Sequence, residues 1–96
     1  MVSVGLYVRL EAAEGKAGDL ADLLKGAQSL VEQEPETAVW YALQFGPTTF
    51  GIFDAFEGED GRNAHLNGAV AQALGDNAAL FATPPSIEKV DVLAST

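Results

Sequence analysis

The sequence has 96 residues, of which 48% are hydrophobic and 20% are charged, so it is long enough for one domain with a full core. Its net charge of −9 and its five basic residues argue against nucleic acid or an anionic membrane as partner, because both need clustered lysines and arginines. The absence of cysteine and the single histidine exclude thiolate and multi-histidine metal sites within one chain. The first nine residues have no basic region or long apolar run, so we expect a cytoplasmic protein without signal peptide or membrane anchor.

The first half of the chain predicts a strand, a helix and a hairpin. Every even-numbered residue in 2–10 is apolar, which is typical of a strand with one buried face. A helical pattern starts at Lys16 and ends near Pro35, because the residue before a proline is pushed out of the helical region. Aromatic and β-branched residues predict strands over 37–45 and 49–56, joined by a glycine-proline turn.

The second half of the chain predicts one more helix and one more strand. The apolar stripe indicates a helix from about 62 to 74, followed by a short turn over 77–82. The last strand is predicted over 87–94. The resulting order βαββαβ predicts a ferredoxin-like α+β fold in a single domain spanning 1–96, with a four-stranded antiparallel sheet and both helices on one face.

The strands predicted over 37–45 and 49–56 are apolar on both faces, although two helices can cover only one face of the sheet. Leaving several such side chains in water would forgo about 1.5–3 kcal/mol each. We therefore expect a homodimer that packs sheet against sheet. The alternative is that the strand ends are covered by the C-terminal segment.

Asp54 places a carboxylate inside a strand that is otherwise apolar. Such a group must be paired, hydrogen-bonded or protonated, and the candidate partners are Arg9, Lys89 and Arg62. A structural ion pair and a catalytic role, as a base or as an orienter of His65, are both open at this point.

His65 lies early in the second predicted helix, at the edge of its apolar face. It is either a flanking histidine bonded to solvent or backbone, or a proton acceptor at the rim of a pocket. Most aromatic residues of the chain should fill the core, but a few could line a flat, apolar pocket between sheet and helices, which would suit an aromatic ligand.

Three short motifs and the βαββαβ order carry a family resemblance that covers essentially the whole chain. The motifs are Glu34-Pro35-Glu36-Thr37 before the Trp40 strand, Phe50-x-Ile52-x-Asp54-x-Phe56, and Ala64-His65-Leu66. With them the chain resembles the antibiotic biosynthesis monooxygenase (ABM) family of the dimeric α+β barrel superfamily. The resemblance implies a monooxygenase that oxidises a small phenolic or quinol-type aromatic with O2, without flavin, haem or metal.

On the positions that match the family pattern, the resemblance implies that His65 is the catalytic base and Asp54 its partner. Trp40 and Phe56 would form pocket walls, and we predict Tyr7 and Asn63 as further substrate contacts. The alternatives are a non-catalytic or stress-related dimer that binds a small ligand, and a structural dimer with a filled interior.

The chain departs from the family pattern at two places. Ala69 stands where many members carry a second histidine. Haem-degrading relatives use an asparagine, a tryptophan and a histidine at three positions. This chain has Val8, His65 and Gly75 there, in that order, which argues against haem degradation.

Overall fold

The structure, a computed structural model, describes all residues from Met1 to Thr96 and contains one four-stranded sheet and three α-helices. The elements are β1 (Val4–Glu11), α1 (Ala17–Val31), β2 (Thr37–Gln44), β3 (Thr49–Phe56), α2 (Glu59–Leu66), α3 (Ala69–Asp76) and β4 (Ser86–Asp91). A 3-10 turn at Ala78–Leu80 precedes β4. All strand pairs are antiparallel in the order β2-β3-β1-β4, which confirms the predicted ferredoxin-like arrangement.

The single helix predicted over 62–74 is wrong, because the structure divides this segment into α2 and α3. The break lies at Asn67, whose side-chain amide donates to the Asn63 carbonyl, and at Gly68, whose backbone N–H donates to the His65 carbonyl. These bonds close the C-terminal turn of α2. His65 therefore lies in the last turn of a short helix, where the helix dipole favours a cation.

The core lies between the inner face of the sheet and the helices. In β1 and β3 the even-numbered side chains point toward the helices, and for β1 this agrees with the single buried face predicted from the sequence. The helix α1 closes this layer with Leu20, Leu24, Ala27 and Val31. Asp54 occupies an even position of β3 and is only 1% exposed, so the sheet places this carboxylate inside the core layer.

The outer face of the sheet carries large apolar side chains without a helix over them. Tyr41 is 58% exposed, Leu43 37% and Phe45 53%. This agrees with the two-sided apolar pattern of β2, and the exposed surface is of the kind that another protein surface covers. No helix of the structure has the length and apolarity needed to cross a membrane.

Candidate functional site

A cavity of about 420 Å³ lies between the inner face of the sheet and the helices α2 and α3. Its walls are mostly aliphatic and come from β1, β3, β4, α2 and α3, together with the 3-10 turn and the proline-containing loop before β4. They include Leu6, Val8, Ile52, Val70, Leu74 and Ile87. Asp54 and His65 are the titratable residues that line it, so the cavity combines an apolar interior with one acid and one imidazole.

Asp54 and His65 are in direct contact at the wall of this cavity. His65 Nε2 lies 2.9 Å from Asp54 Oδ2, and both side chains are almost fully buried. The approach has the distance of an ion pair but lacks the alignment of a hydrogen bond, and Oδ1 has no hydrogen-bond partner at all. Both Asp54 oxygens are buried with almost no accessible surface, and a buried carboxylate oxygen without a donor is costly.

The other ring nitrogen of His65 contacts Glu34. Nδ1 lies 3.0 Å from Glu34 Oε1 and 3.2 Å from Oε2. Glu34 belongs to the turn between α1 and β2, where its backbone N–H donates to the Val31 carbonyl and its carbonyl accepts from the Thr37 N–H. The imidazole is therefore held between two carboxylates that come from different parts of the chain.

The two carboxylates change the proton affinity of the ring. Burial alone lowers the pKa of His65, but the contact and charge of Asp54, and then those of Glu34, raise it by more. The resulting pKa lies above the ordinary value of 6.5. The protonated ring is therefore more stable here than in a free histidine, and the position of His65 at the C-terminus of α2 acts in the same direction.

Two neighbours fix the position of this pair. The Phe56 ring packs against the His65 ring with centroids 5.5 Å apart. Arg62, one turn earlier on α2, donates to the backbone carbonyls of Gly5 and Val90 and thereby ties the helix to β1 and β4. The orientation of the imidazole thus follows from packing and from the anchoring of its helix.

The predicted cationic partners of Asp54 are wrong. Arg62 pairs instead with Glu59, whose Oε2 lies 2.6 Å from Nη2. Arg9 is exposed on the outer face of the sheet, and Lys89 is exposed on the edge strand β4. The sequence pattern could not show that an imidazole from α2, rather than an arginine or lysine, reaches the carboxylate.

The four predicted substrate contacts do not line this cavity. Trp40 lies across from Asp54 on β2, but its side chain borders a separate depression at the protein surface. Phe56 is fully buried, Tyr7 lies on the outer face of the sheet and Asn63 is exposed on α2. Of the predicted site residues, the structure brings Asp54 and His65 together at the cavity.

Sequence reasoning missed Glu34 as a site residue, although it placed Glu34 in a family motif at the end of the first helix. Its partner His65 is far away in the sequence, and no spacing pattern connects the two. The available signal was topological, since the turn before β2 must lie next to β3 and therefore near Asp54. The structure contains no group of three or more acidic, histidine or cysteine residues arranged to hold a metal ion.

Comparison with solved structures shows similarity over the full length of the chain. The NE2512 protein of unknown function from Nitrosomonas europaea is 54% identical, with a TM-score of 0.98 over 100% of this chain and 94% of that chain. A protein described as "Putative antibiotic biosynthesis monooxygenase from Nitrosomonas europaea" is 18% identical, with a TM-score of 0.84 over 95% and 99% of the two chains.

A protein from Caulobacter crescentus with the same description is 16% identical, with a TM-score of 0.82 over 97% of this chain and 92% of that chain. At identities of 16% and 18% these similarities establish a shared fold. Neither a protein-family model nor a curated protein matches the sequence.

Proposed function

Because the chain belongs to the same protein family as the NE2512 protein and has the fold of the two proteins described as monooxygenases, we propose that it is a cofactor-independent monooxygenase. Its substrate would be a small phenolic or quinol-type aromatic. The observation that carries the proposal is an apolar cavity of about 420 Å³ with one buried carboxylate whose Oδ1 has no partner. Its volume falls within the range of about 300–1,000 Å³ that is common for small-molecule pockets.

The cavity favours a ligand with one hydroxyl group on an apolar body. Aliphatic walls such as Leu6, Val70 and Leu74 would bury an aromatic ring. Asp54 Oδ1, which has no donor and almost no accessible surface in the ligand-free protein, would accept a hydrogen bond from the hydroxyl once its side chain moves toward the cavity. A hydrogen bond to a charged acceptor contributes about 1.5–3 kcal/mol. In this proposal the Asp54 carboxylate determines which end of the ligand faces β3.

Asp54 is the residue that we assign to the ligand proton, with His65 as its support. The resemblance to the ABM family assigned the base to His65, but each of its ring nitrogens already faces a carboxylate. Asp54 has a free oxygen and lines the cavity. In this arrangement the neutral His65 ring faces the other Asp54 oxygen and can accept a hydrogen bond from the acid that forms when Asp54 takes the proton.

The proposed reaction needs no reductant from outside the substrate. The O–H bond of the phenol breaks and its proton moves to Asp54, and the electron-rich ring carbon of the phenolate bonds to O2. Cleavage of the O–O bond leaves one oxygen in a quinone. The other oxygen leaves as water, with the proton that Asp54 returns and the hydrogen from the attacked carbon. The sum is phenol plus O2 to quinone plus water, with all four electrons from the substrate. An apolar cavity favours this chemistry because the bound ligand would displace water and the anion would be protected from side reactions.

Isotope labelling tests this function. The purified protein would be incubated under ¹⁸O2 with a panel of naphthols and naphthohydroquinones, without added flavin or metal, and the products analysed by mass spectrometry. The proposal predicts one ¹⁸O atom per quinone above the protein-free background, and a loss of this signal in Asp54→Leu. Ligand binding without labelled product would instead support the non-catalytic, ligand-binding alternative.

We further propose that the outer sheet face forms a homodimer interface. The support is the exposed apolar surface of Tyr41, Leu43 and Phe45, which a second copy of the same face would cover. Light scattering should give twice the 10.0 kDa mass of one chain. Leu43→Glu should give monomers, whereas Leu93→Glu, a control outside the sheet at a residue that is 96% exposed, should leave the mass unchanged. A monomeric wild-type protein would contradict the proposal.

A further inference from the structure

Glu34, His65 and Asp54 form a row of three side chains whose exposure decreases toward the interior. The side chain of Glu34 is 21% exposed, that of His65 7% and that of Asp54 1%. The two ends open onto different spaces. Asp54 lines the apolar cavity, whereas Glu34 lines a shallow depression on the outside of the α1–β2 turn. The imidazole is thus the link between the cavity and an outer surface.

The structure holds the Glu34 carboxylate in place from its own turn and from the break between α2 and α3. Backbone bonds to Val31 and Thr37 fix both sides of the residue. Gly68 provides the space for the carboxylate, since a Cβ at that position would lie 3.2 Å from Glu34 Oε1 and 3.1 Å from the Ala64 carbonyl oxygen. A side chain at position 68 would therefore compete with the contact to His65.

We propose that Glu34 is a positioning residue for the proton acceptor Asp54, because it keeps the His65 ring proton on Nδ1 and leaves Nε2 facing Asp54. This inference rests on the proposed function for the role of Asp54, but the orientation of the ring is a property of the protein without ligand. The contact of Nδ1 with Glu34 is aligned as a hydrogen bond, whereas that of Nε2 with Asp54 is not. The neutral ring therefore keeps its proton on the Glu34 side.

The arrangement has a direct consequence for proton transfer. When the O–H bond of a ligand breaks and an O–H bond forms on Asp54, the protonated acid can donate to Nε2. That nitrogen has a free lone pair only while the proton of the neutral ring is on Nδ1. Glu34 thus acts through His65 and does not contact the ligand. The arrangement parallels the general rule that a third group orients a base.

Few other charges can act on this ring. On α2, Arg62 is paired with Glu59 and directed toward β1 and β4. The acid of α3, Asp76, lies exposed at the end of that helix, and Arg9 of β1 is on the opposite face of the sheet. Lys89 is exposed on β4 and lies near Glu59. Glu32 shares the outer depression with Glu34. Neither Lys89 nor Glu32 contacts the imidazole.

Because His65 is the single histidine of the chain, nuclear magnetic resonance of ¹⁵N-histidine-labelled protein reports on it without overlap. The ¹⁵N shifts of Nδ1 and Nε2 would be followed from pH 5 to pH 10 in the wild type and in Glu34→Gln, Glu34→Asp and Glu32→Gln. Glu34→Gln removes the charge but keeps the shape, and Glu34→Asp keeps the charge but shortens the reach. Glu32→Gln removes one charge from the same depression without touching the ring.

We expect the neutral wild-type ring to carry its proton on Nδ1. In Glu34→Gln and Glu34→Asp the proton should move to Nε2, and the titration midpoint of His65 should fall in Glu34→Gln. Glu32→Gln should behave like the wild type. An unchanged tautomer in both Glu34 variants, or an equal shift in Glu32→Gln, would overturn the inference. These spectra need neither ligand nor turnover, so a failure of the proposed oxygenation would leave their outcome untouched.

Discussion

The carboxylate of Asp54 on β3 and the imidazole of His65 on α2 meet at 2.9 Å inside the core layer, at the wall of an apolar cavity. The contact joins the sheet to the short helix α2. It is one half of a longer row, because Glu34 approaches the opposite nitrogen of the same ring at 3.0 Å. The imidazole therefore joins two buried or partly buried carboxylates from different parts of the chain.

Removal of the imidazole should leave Asp54 buried without its partner. We expect His65→Leu to lower the free energy of unfolding at pH 7 by about 3–5 kcal/mol, the cost typical of breaking a buried ion pair from one side. Urea denaturation monitored by circular dichroism measures this loss.

The matched control is the same change in the background of Asp54→Leu, where no carboxylate is left unpaired. In that background His65→Leu should lower the free energy of unfolding by a smaller amount. The coupling energy between the two positions should be about 0.5–3 kcal/mol. Equal losses in the two backgrounds would show that Asp54 and His65 do not stabilise each other.

The raised pKa of His65 predicts how stability depends on pH. The pKa of the folded protein lies above the ordinary value of 6.5, so the folded state binds the ring proton more tightly than the unfolded state. The stabilisation is fully present below pH 6.5 and decreases as the pH rises through the folded pKa.

This pH dependence can be isolated by comparison with a variant that lacks the group. The difference in the free energy of unfolding between the wild type and His65→Gln should be largest near pH 6 and should decrease toward alkaline pH. A difference that increases with pH would mean that folding lowers the pKa of His65, contrary to the two carboxylate contacts.

Gly68 offers a test of the packing that holds Glu34. Gly68→Ala places a Cβ within 3.1–3.3 Å of the Ala64 and His65 carbonyl oxygens and of Glu34 Oε1, so these groups must move apart. We expect a destabilisation of about 1–3 kcal/mol, which is usual for crowding in a packed region.

Gly26→Ala on α1 is the control, because a Cβ there meets nothing within 4 Å. The control should stabilise the protein by about 0.5–1 kcal/mol through its higher helix propensity. Equal effects of the two substitutions on the melting temperature would contradict this account.

The fold could be predicted almost completely from the sequence because each element has a clear periodicity. The alternation in β1 correctly predicts one buried face for this strand. The break between α2 and α3 was missed, because the apolar pattern continues across Asn67 and Gly68. What ends α2 is local bonding by these two residues, which a hydrophobic period does not report.

The site could be predicted in part. Asp54 stood out because a carboxylate within an apolar strand needs a partner, and His65 stood out as the single imidazole. Glu34 did not stand out, because its contact with His65 depends on how the α1–β2 turn and the helix α2 lie relative to each other, and these are distant in the sequence. Whether Trp40 and Phe56 line the cavity was still harder to predict. An aromatic residue on the inner face of a strand either fills the core or lines a cavity, depending on which helix lies above it.

The central claim is that Asp54 accepts a hydrogen bond from the hydroxyl group of an aromatic ligand in the cavity. Calorimetry with two ligands tests this claim most directly. The protein would be titrated with 2-naphthol and with 2-methoxynaphthalene, which share the ring system but differ in the hydroxyl proton. Asp54→Leu removes the acceptor, and Asp76→Asn removes one exposed negative charge as a control. The wild type and Asp76→Asn should prefer the naphthol by on the order of tenfold or more, as expected for a hydrogen bond to a charged acceptor, and Asp54→Leu should lose the preference. Equal affinities of the wild type for the two ligands would contradict the claim.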